Sequence, residues 1–216
     1  MNKNIFFKKI FILLFFTFVF QNVKSTFEYK NICENTYLFP AIKTEIKHSK
    51  ERTAIHEAAH LIVAEYFLGT SKLETITIKE STECSGQTVF KIHPTNKHAI
   101  NIMLASYIIE ELFFGAASTG THGDLNIIIE DIIKFYPQAT AHNITEIKNI
   151  LQNYINETKN IILQNIDSIK IFTNILLTEK DTLNNTEITA IFNQIKNNSL
   201  TIAMQQSMPG IRPNFA

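Results

Sequence analysis

The sequence predicts a mainly α-helical fold carrying one small antiparallel β-sheet. Apolar residues recur at helical spacing over several long segments, and these end at helix-stopping residues: Gly69, Gly115 and Pro137. Only two short stretches, Glu74–Ile78 and Gln87–Ile92, are β-rich, and a polar turn containing Gly86 separates them. No internal repeat is present.

The chain opens with a segment unlike the rest. In residues 1–25, Lys3, Lys8 and Lys9 precede the unbroken apolar run Ile10–Phe20, and polar residues follow. This is the layout of an export signal. A helix of that run would span about 16 Å, short of the roughly 30 Å hydrocarbon core, so a cleaved signal peptide is expected, with cleavage after Ser25. If the segment is retained as a membrane anchor, its lysines keep the N-terminus cytoplasmic, and the rest of the chain lies on the other side. Either way the folded part is expected outside the cytosol, periplasmic or secreted. A buried core helix fits less well, because the run is apolar all round instead of along one face.

Residues 26–49 are polar and irregular, contain Pro40, and read as a linker or arm. The organised domain is expected over residues 50–197. It begins with a helix at Glu51–Leu68, followed by the two β-rich stretches as an antiparallel pair. A second helix covers Asn96–Phe114, the small-residue loop GAASTGTHG follows, and a third helix runs over Asp124–Tyr136. A helical hairpin is expected over Thr145–Leu177 and a last helix over Thr186–Lys196, leaving residues 198–216 as a tail. The apolar C-terminal helices are expected to serve the core; a homo-oligomer is left open.

Composition excludes some functions. Lysine plus arginine total 20 and aspartate plus glutamate total 20, with no basic stripe, so a nucleic-acid partner is not expected. Cys33 and Cys84 are the only cysteines, which rules out a four-thiolate finger or a Cys-x-x-Cys redox site. In an oxidising compartment the two could form one disulfide.

Chemistry concentrates in the first helix, where His56, Glu57 and His60 form a His-Glu-x-x-His motif. Positions i and i+4 share a helix face, so both imidazoles can address one metal ion. Glu57 lies beside that face, where it can take a proton from a water attacking a carbonyl and pass it to the leaving amine. The plain alternative is a pair of core histidines bonded to nearby backbone. A catalytic zinc needs a third protein ligand. Val63 and Tyr66 exclude the extended metzincin pattern, which requires glycine and histidine there. Glu110, Glu111, Asp124 and His122 remain open on local chemistry alone.

At these residues the sequence resembles the proteolytic domain of FtsH-type, membrane-associated, ATP-dependent zinc metalloproteases. The matching stretches are ERTAIHEAAHLIVAEYFLG, LETITIKESTECSGQTVF, IIEELFFGAASTGTHGDL and ILLTEKDTLNNTEITAIF, in that order over roughly residues 50–196. The resemblance implies an FtsH-peptidase-like fold in which His56, His60 and Asp124 hold zinc and Glu57 is the general base. Glu110 and Glu111 match the family's paired glutamates, one of which would support a ligating histidine. The resemblance also implies that a sheet edge, TITI or QTVF, holds an extended peptide by strand addition.

There are departures. Ala59 replaces the glycine of the family's His-Glu-Ala-Gly-His, and Ala105-Ser106-Tyr107 stands where Gly-Gly-Arg precedes the glutamates. The segment between the third helix and the C-terminal helices is shorter. No G-x-x-x-x-G-K-[ST] phosphate loop occurs in these residues, so they are expected to act without ATP-driven unfolding. The resulting expectation is an exported, ATP-independent zinc metallopeptidase acting on peptides or unfolded protein. The alternative is an inactive peptide-binding or regulatory protein that keeps the groove.

Overall fold

The computed structural model describes residues 38–43, 49–80, 86–91, 97–139 and 143–197. The expected export segment, the Cys33 and Cys84 pair and the tail lie outside the described residues. Among the described residues, no helix is long and apolar enough to cross a membrane.

The fold is mainly helical with one small antiparallel sheet, as the sequence predicts. Two helices form its centre. Helix α1 (Lys50–Leu68) starts at Ser49, whose side chain accepts from the Arg52 N–H, and ends at Gly69, whose positive φ of 77° suits a residue without Cβ. Every residue from Arg52 to Ala64 except His56 is buried. Helix α2 (His98–Phe114) is buried without a break from Ala99 to Glu110 and ends at Gly115 with φ 70°. Helices buried on all sides occupy the middle of a domain, and these two pack on each other.

Amphipathic helices surround this pair. Helix α3 (His122–Phe135) follows a short 3₁₀ turn at Thr119–Thr121 and packs on α2. Helix α4 (Ile144–Gln164) also packs on α2, whereas α5 (Ile166–Thr178) packs on α1. This corrects the expected hairpin over Thr145–Leu177. The chain breaks at Asn165, and its two helices cover different faces of the central pair instead of lying along each other. Helix α6 (Asn185–Lys196) begins with a capping box between Asn184 and Glu187.

Among the described residues the sheet has three strands, not the expected two. Strands β1 (Leu73–Thr77), β2 (Gln87–Phe90) and β3 (Thr182–Asn184) are ordered β2-β1-β3, antiparallel throughout. Ile76 lies opposite Thr88 on one side and Leu183 on the other. An irregularity between Leu73 and Thr75 lets Leu73 and Ile76, three positions apart, both point into the core.

The expected linker also contributes to the core. Leu38 and Phe39 are buried, with the Phe39 ring edge-on to Tyr107 at 5.3 Å. The backbone of Ala41 and Lys43 hydrogen-bonds to Ala117, fastening this segment to the loop that leads into α3. The domain's packing therefore begins before residue 50.

Candidate metal centre

The turn geometry of α1 stacks His56 over His60, with ring centroids 4.9 Å apart. Asp124, in the first turn of α3, meets them from the opposite wall. Its Oδ2 lies 3.3 Å from Nε2 of His56 and 3.2 Å from Nε2 of His60. One ligand atom from each residue falls within 4.8 Å of the others, so the three could hold a metal ion.

Both rings are fixed by their other nitrogen. Nδ1 of His60 lies 2.7 Å from the carbonyl oxygen of Ile102, which only accepts, and this assigns the ring proton to Nδ1. Nδ1 of His56 lies 2.8 Å from Oε1 of Glu110 and likewise donates. Each Nε2 is thereby left to present its lone pair to a metal, an arrangement common to ligating histidines. A tetrahedral ion with bonds of about 2.0 Å sets its donors about 3.3 Å apart, close to the separations between Asp124 and the two rings. The donor set and its spacing fit a divalent cation.

The charges around the centre are strongly coupled. Burial disfavours charge on His56, but bonds to Asp124 and Glu110 and the nearby Glu57 outweigh it and raise its pKa well above the ordinary histidine value. His60 is raised too: burial and His56 oppose its charge, while Asp124 and Glu57 favour it. Burial would push Asp124 up, but the charge of His60 and bonds from both rings hold it well below the usual carboxylate range. Glu110 is also held low against its burial, by His56, the Ser118 N–H and Arg52.

Glu110 is enclosed on every side. Its Oε2 accepts from Arg52 Nη1 at 2.6 Å and from the Ser118 N–H at 2.8 Å, while Arg52 also donates to Ala116 O at 3.0 Å. The small-residue loop thus wraps around one carboxylate, which links α1, α2 and the approach to Asp124. Close approach of that loop requires small side chains, as in Ala116, Ala117 and Ser118.

Glu57 is buried in the same cleft, a cavity of about 760 Å³. Thr88 Oγ1, on β2, donates to its Oε2 at 2.8 Å. Gly86 passes so close that a Cβ there would lie 3.0 Å from Glu57 Oε1 and 2.5 Å from Thr53 Cγ2. Val89 and Phe90 of β2 and Ile127 of α3 also line the cleft.

The structure therefore brings together His56, Glu57, His60 and Asp124, and it separates the candidates for third ligand. Glu110 bonds to His56 and lies outside the metal-holding group, Glu111 is exposed, and His122 is not part of that group. Of the two proposed peptide-binding segments, TITI overlaps β1, which is paired on both sides. That segment has no free edge to offer, so QTVF, in the edge strand β2, is the one that remains. Arg52, Gly86, Thr88 and Ser106 were not singled out as site residues from the sequence. A visible signal existed for one of them: Ser106 stands in the otherwise largely apolar run Ile102–Ile109. Against known proteins, no family model matches this chain, and no curated protein matches it either.

Proposed function

We propose that this chain is a zinc metallopeptidase with an FtsH-peptidase-like fold that cuts peptides or unfolded protein segments without ATP. The observation that carries the proposal is the convergence of His56, His60 and Asp124 in one cleft, with the carboxylate of Glu57 beside them. Two imidazoles and a carboxylate suit zinc among the common divalent ions. A structural zinc site has no need of Glu57, whereas a hydrolytic site needs a base next to the attacking water. When bound, zinc would polarise the scissile carbonyl and lower the pKa of a water.

The remaining work belongs to the chain's own residues. Glu57 takes the proton of the attacking water and delivers it to the leaving amine. Thr88 holds Oε2, so Oε1 is the oxygen assigned to that transfer. Strand β2 is an edge that lines the cleft, and an extended peptide added to it would lie across the centre. The apolar side chains of Val89, Phe90 and Ile127 shed water from the bound segment.

Digestion of casein by the purified protein without ATP tests the reading. Cleavage is expected, and it should be lost in Glu57→Gln and on chelation. A folded, zinc-loaded protein that leaves casein and a broad peptide library intact would overturn it. The layout of residues 1–25 supports an exported protein, periplasmic, secreted or held by an uncleaved N-terminal anchor, with this activity outside the cytosol. An alkaline-phosphatase fusion after residue 30 should be active, and a well-expressed but silent fusion would refute that placement.

A further inference from the structure

We propose that Ser106 is a positioning residue that fixes Asp124 for metal binding, one of three partners that a single face of α2 supplies to the three ligands. The proposal rests on the reading of His56, His60 and Asp124 as a metal centre; it does not depend on peptidase activity. Residues 102, 106 and 110 are spaced by four, so they share one helix face. Ile102 O accepts from His60, Ser106 Oγ donates to Asp124 Oδ2 at 2.7 Å, and Glu110 Oε1 accepts from His56. Each ligand thus receives one partner from the most deeply buried helix of the domain.

Of the three, Ser106 is the one whose removal leaves the ligands and the buried charges untouched. Its side chain is fully buried, and its single hydroxyl proton has two acceptors: Asp124 Oδ2 at 2.7 Å and Met103 O at 3.0 Å. The carboxylate is the nearer and the charged acceptor, so the stronger bond goes there. Asp124 Oδ2 is also the oxygen that faces both histidines. Holding it stops the carboxylate from turning and presents that same oxygen to the ion. Asp124 stands at the start of α3, behind a loop of small residues, so the bond also ties α3 to the rigid centre. The Gly-Gly-Arg of the resembled family would offer no hydroxyl here, which makes the device a feature of this chain.

The test is zinc affinity measured by competition with a chromophoric chelator, using the whole protein. Ser106→Ala should bind zinc roughly ten- to a hundredfold more weakly. Ser106→Thr, which keeps the hydroxyl, should recover most of that loss, and cobalt in the Ser106→Ala site should show a shifted d–d spectrum. The decisive comparison is made in an Asp124→Ala background, where Ser106→Ala should have no further effect on residual binding. Parent-like affinity in Ser106→Ala would overturn the proposal. So would an equal loss with and without Asp124, which would mean that Ser106 acts through general packing. A parent protein that binds no divalent ion would overturn it together with the metal reading. Intact zinc dependence on Ser106 in a protein that cuts nothing would support it while removing the peptidase reading.

Discussion

Replacing Glu110 separates two roles that one carboxylate performs. Its side chain is almost wholly buried and serves Arg52, the Ser118 N–H and His56 at 2.6, 2.8 and 2.8 Å. Glu110→Ala leaves the Arg52 guanidinium, itself buried, with only Ala116 O among these partners, and it orphans the Ser118 N–H. Breaking a buried ion pair from one side costs about 3–5 kcal/mol. Domains of this size are stable by only about 5–15 kcal/mol, so the metal-free variant should lose a large share of its stability. Glu110→Gln behaves differently. Its amide oxygen can still accept from Arg52 and Ser118, which limits the loss to about 1.5–3 kcal/mol for a weakened bond to a charged group. Its NH₂ would then face Nδ1 of His56, and two donors cannot bond. The ring must move its proton to Nε2, the atom that faces Asp124, or swing away. Either response removes a metal ligand, so zinc affinity should fall by at least the roughly ten- to hundredfold typical of lost outer partners.

Urea unfolding in the presence of chelator measures the first role, and chelator competition measures the second. Glu110→Ala should be much the less stable of the two variants, while both should bind zinc poorly. An Arg52→Met, Glu110→Leu double variant should regain much of the stability and none of the affinity, because it removes both buried charges together. Full zinc affinity in Glu110→Gln would refute the assignment of the His56 proton. A loss of less than about 1 kcal/mol in Glu110→Ala would refute the account of Arg52 as a cation that depends on this partner.

Other perturbations probe the remaining parts of the site. Asp124→Ala should lose most bound zinc and His122→Ala should keep it, read by metal analysis after dialysis; the reverse would move the third ligand to the loop. Gly86→Ala places a methyl 2.5 Å from Thr53 Cγ2 and against Glu57, so it should cost about 1–3 kcal/mol in urea and depress casein cleavage with zinc retained; parent-like turnover would show that this contact does not hold Glu57. The metal-free protein should be most stable near pH 5–6. His56 and His60 are raised in the fold, so their contribution is complete below the ordinary histidine value and is lost as pH climbs through the raised values. Asp124 and Glu110 are lowered, so theirs is present above the ordinary carboxylate value and is lost as pH falls through the lowered values. Chelated unfolding curves across pH 4–9 test this, and maximal stability at the alkaline end would contradict it. Zinc affinity should instead rise with pH, because binding displaces those protons.

Much of this architecture was legible in the sequence where local signals are strong. Helix α1 stops at Gly69 and carries the His-Glu-x-x-His spacing where the pattern placed them, whereas its cap at Ser49 falls in the stretch read as a linker. Elements that exist only through pairing were not legible. Strand β3, Thr-Leu-Asn, is three residues long and ends in asparagine, so only its ladder with β1 makes it a strand. The hairpin expectation implied a break between two helices, but its place at Asn165, with neither glycine nor proline, and the packing of α4 on α2 and α5 on α1 are set by tertiary contacts. Leu38 and Phe39 belong to a short apolar run, Tyr37–Ile42, inside a longer polar stretch, and Phe39 meets Tyr107, far along the chain, so their place in the core is set by tertiary packing. Within the site, Asp124 could be placed only through resemblance, since its approach to the histidines is set by how the loop wraps Glu110.

The two sides of the centre rest on different foundations, and this shapes how the site can fail. Polar groups in an apolar helix such as α2 persist only if each is paired, because an unpaired one costs about twice what its bond contributes. Ser106 and Glu110 meet that condition through Asp124, His56 and Arg52, so the metal side is bonded into the core. Glu57 instead depends on Thr88 and Gly86, which belong to an edge strand and the residue leading into it. Edge strands are held on one side only and open more readily than core helices. Changes on α2 should therefore lower stability and zinc affinity together. Changes around β2 should lower turnover while leaving zinc in place, and Thr88→Val would be the plainest case. A Thr88→Val protein that lost zinc along with activity would mean that base and metal form one cooperative unit, contrary to the division argued from these contacts.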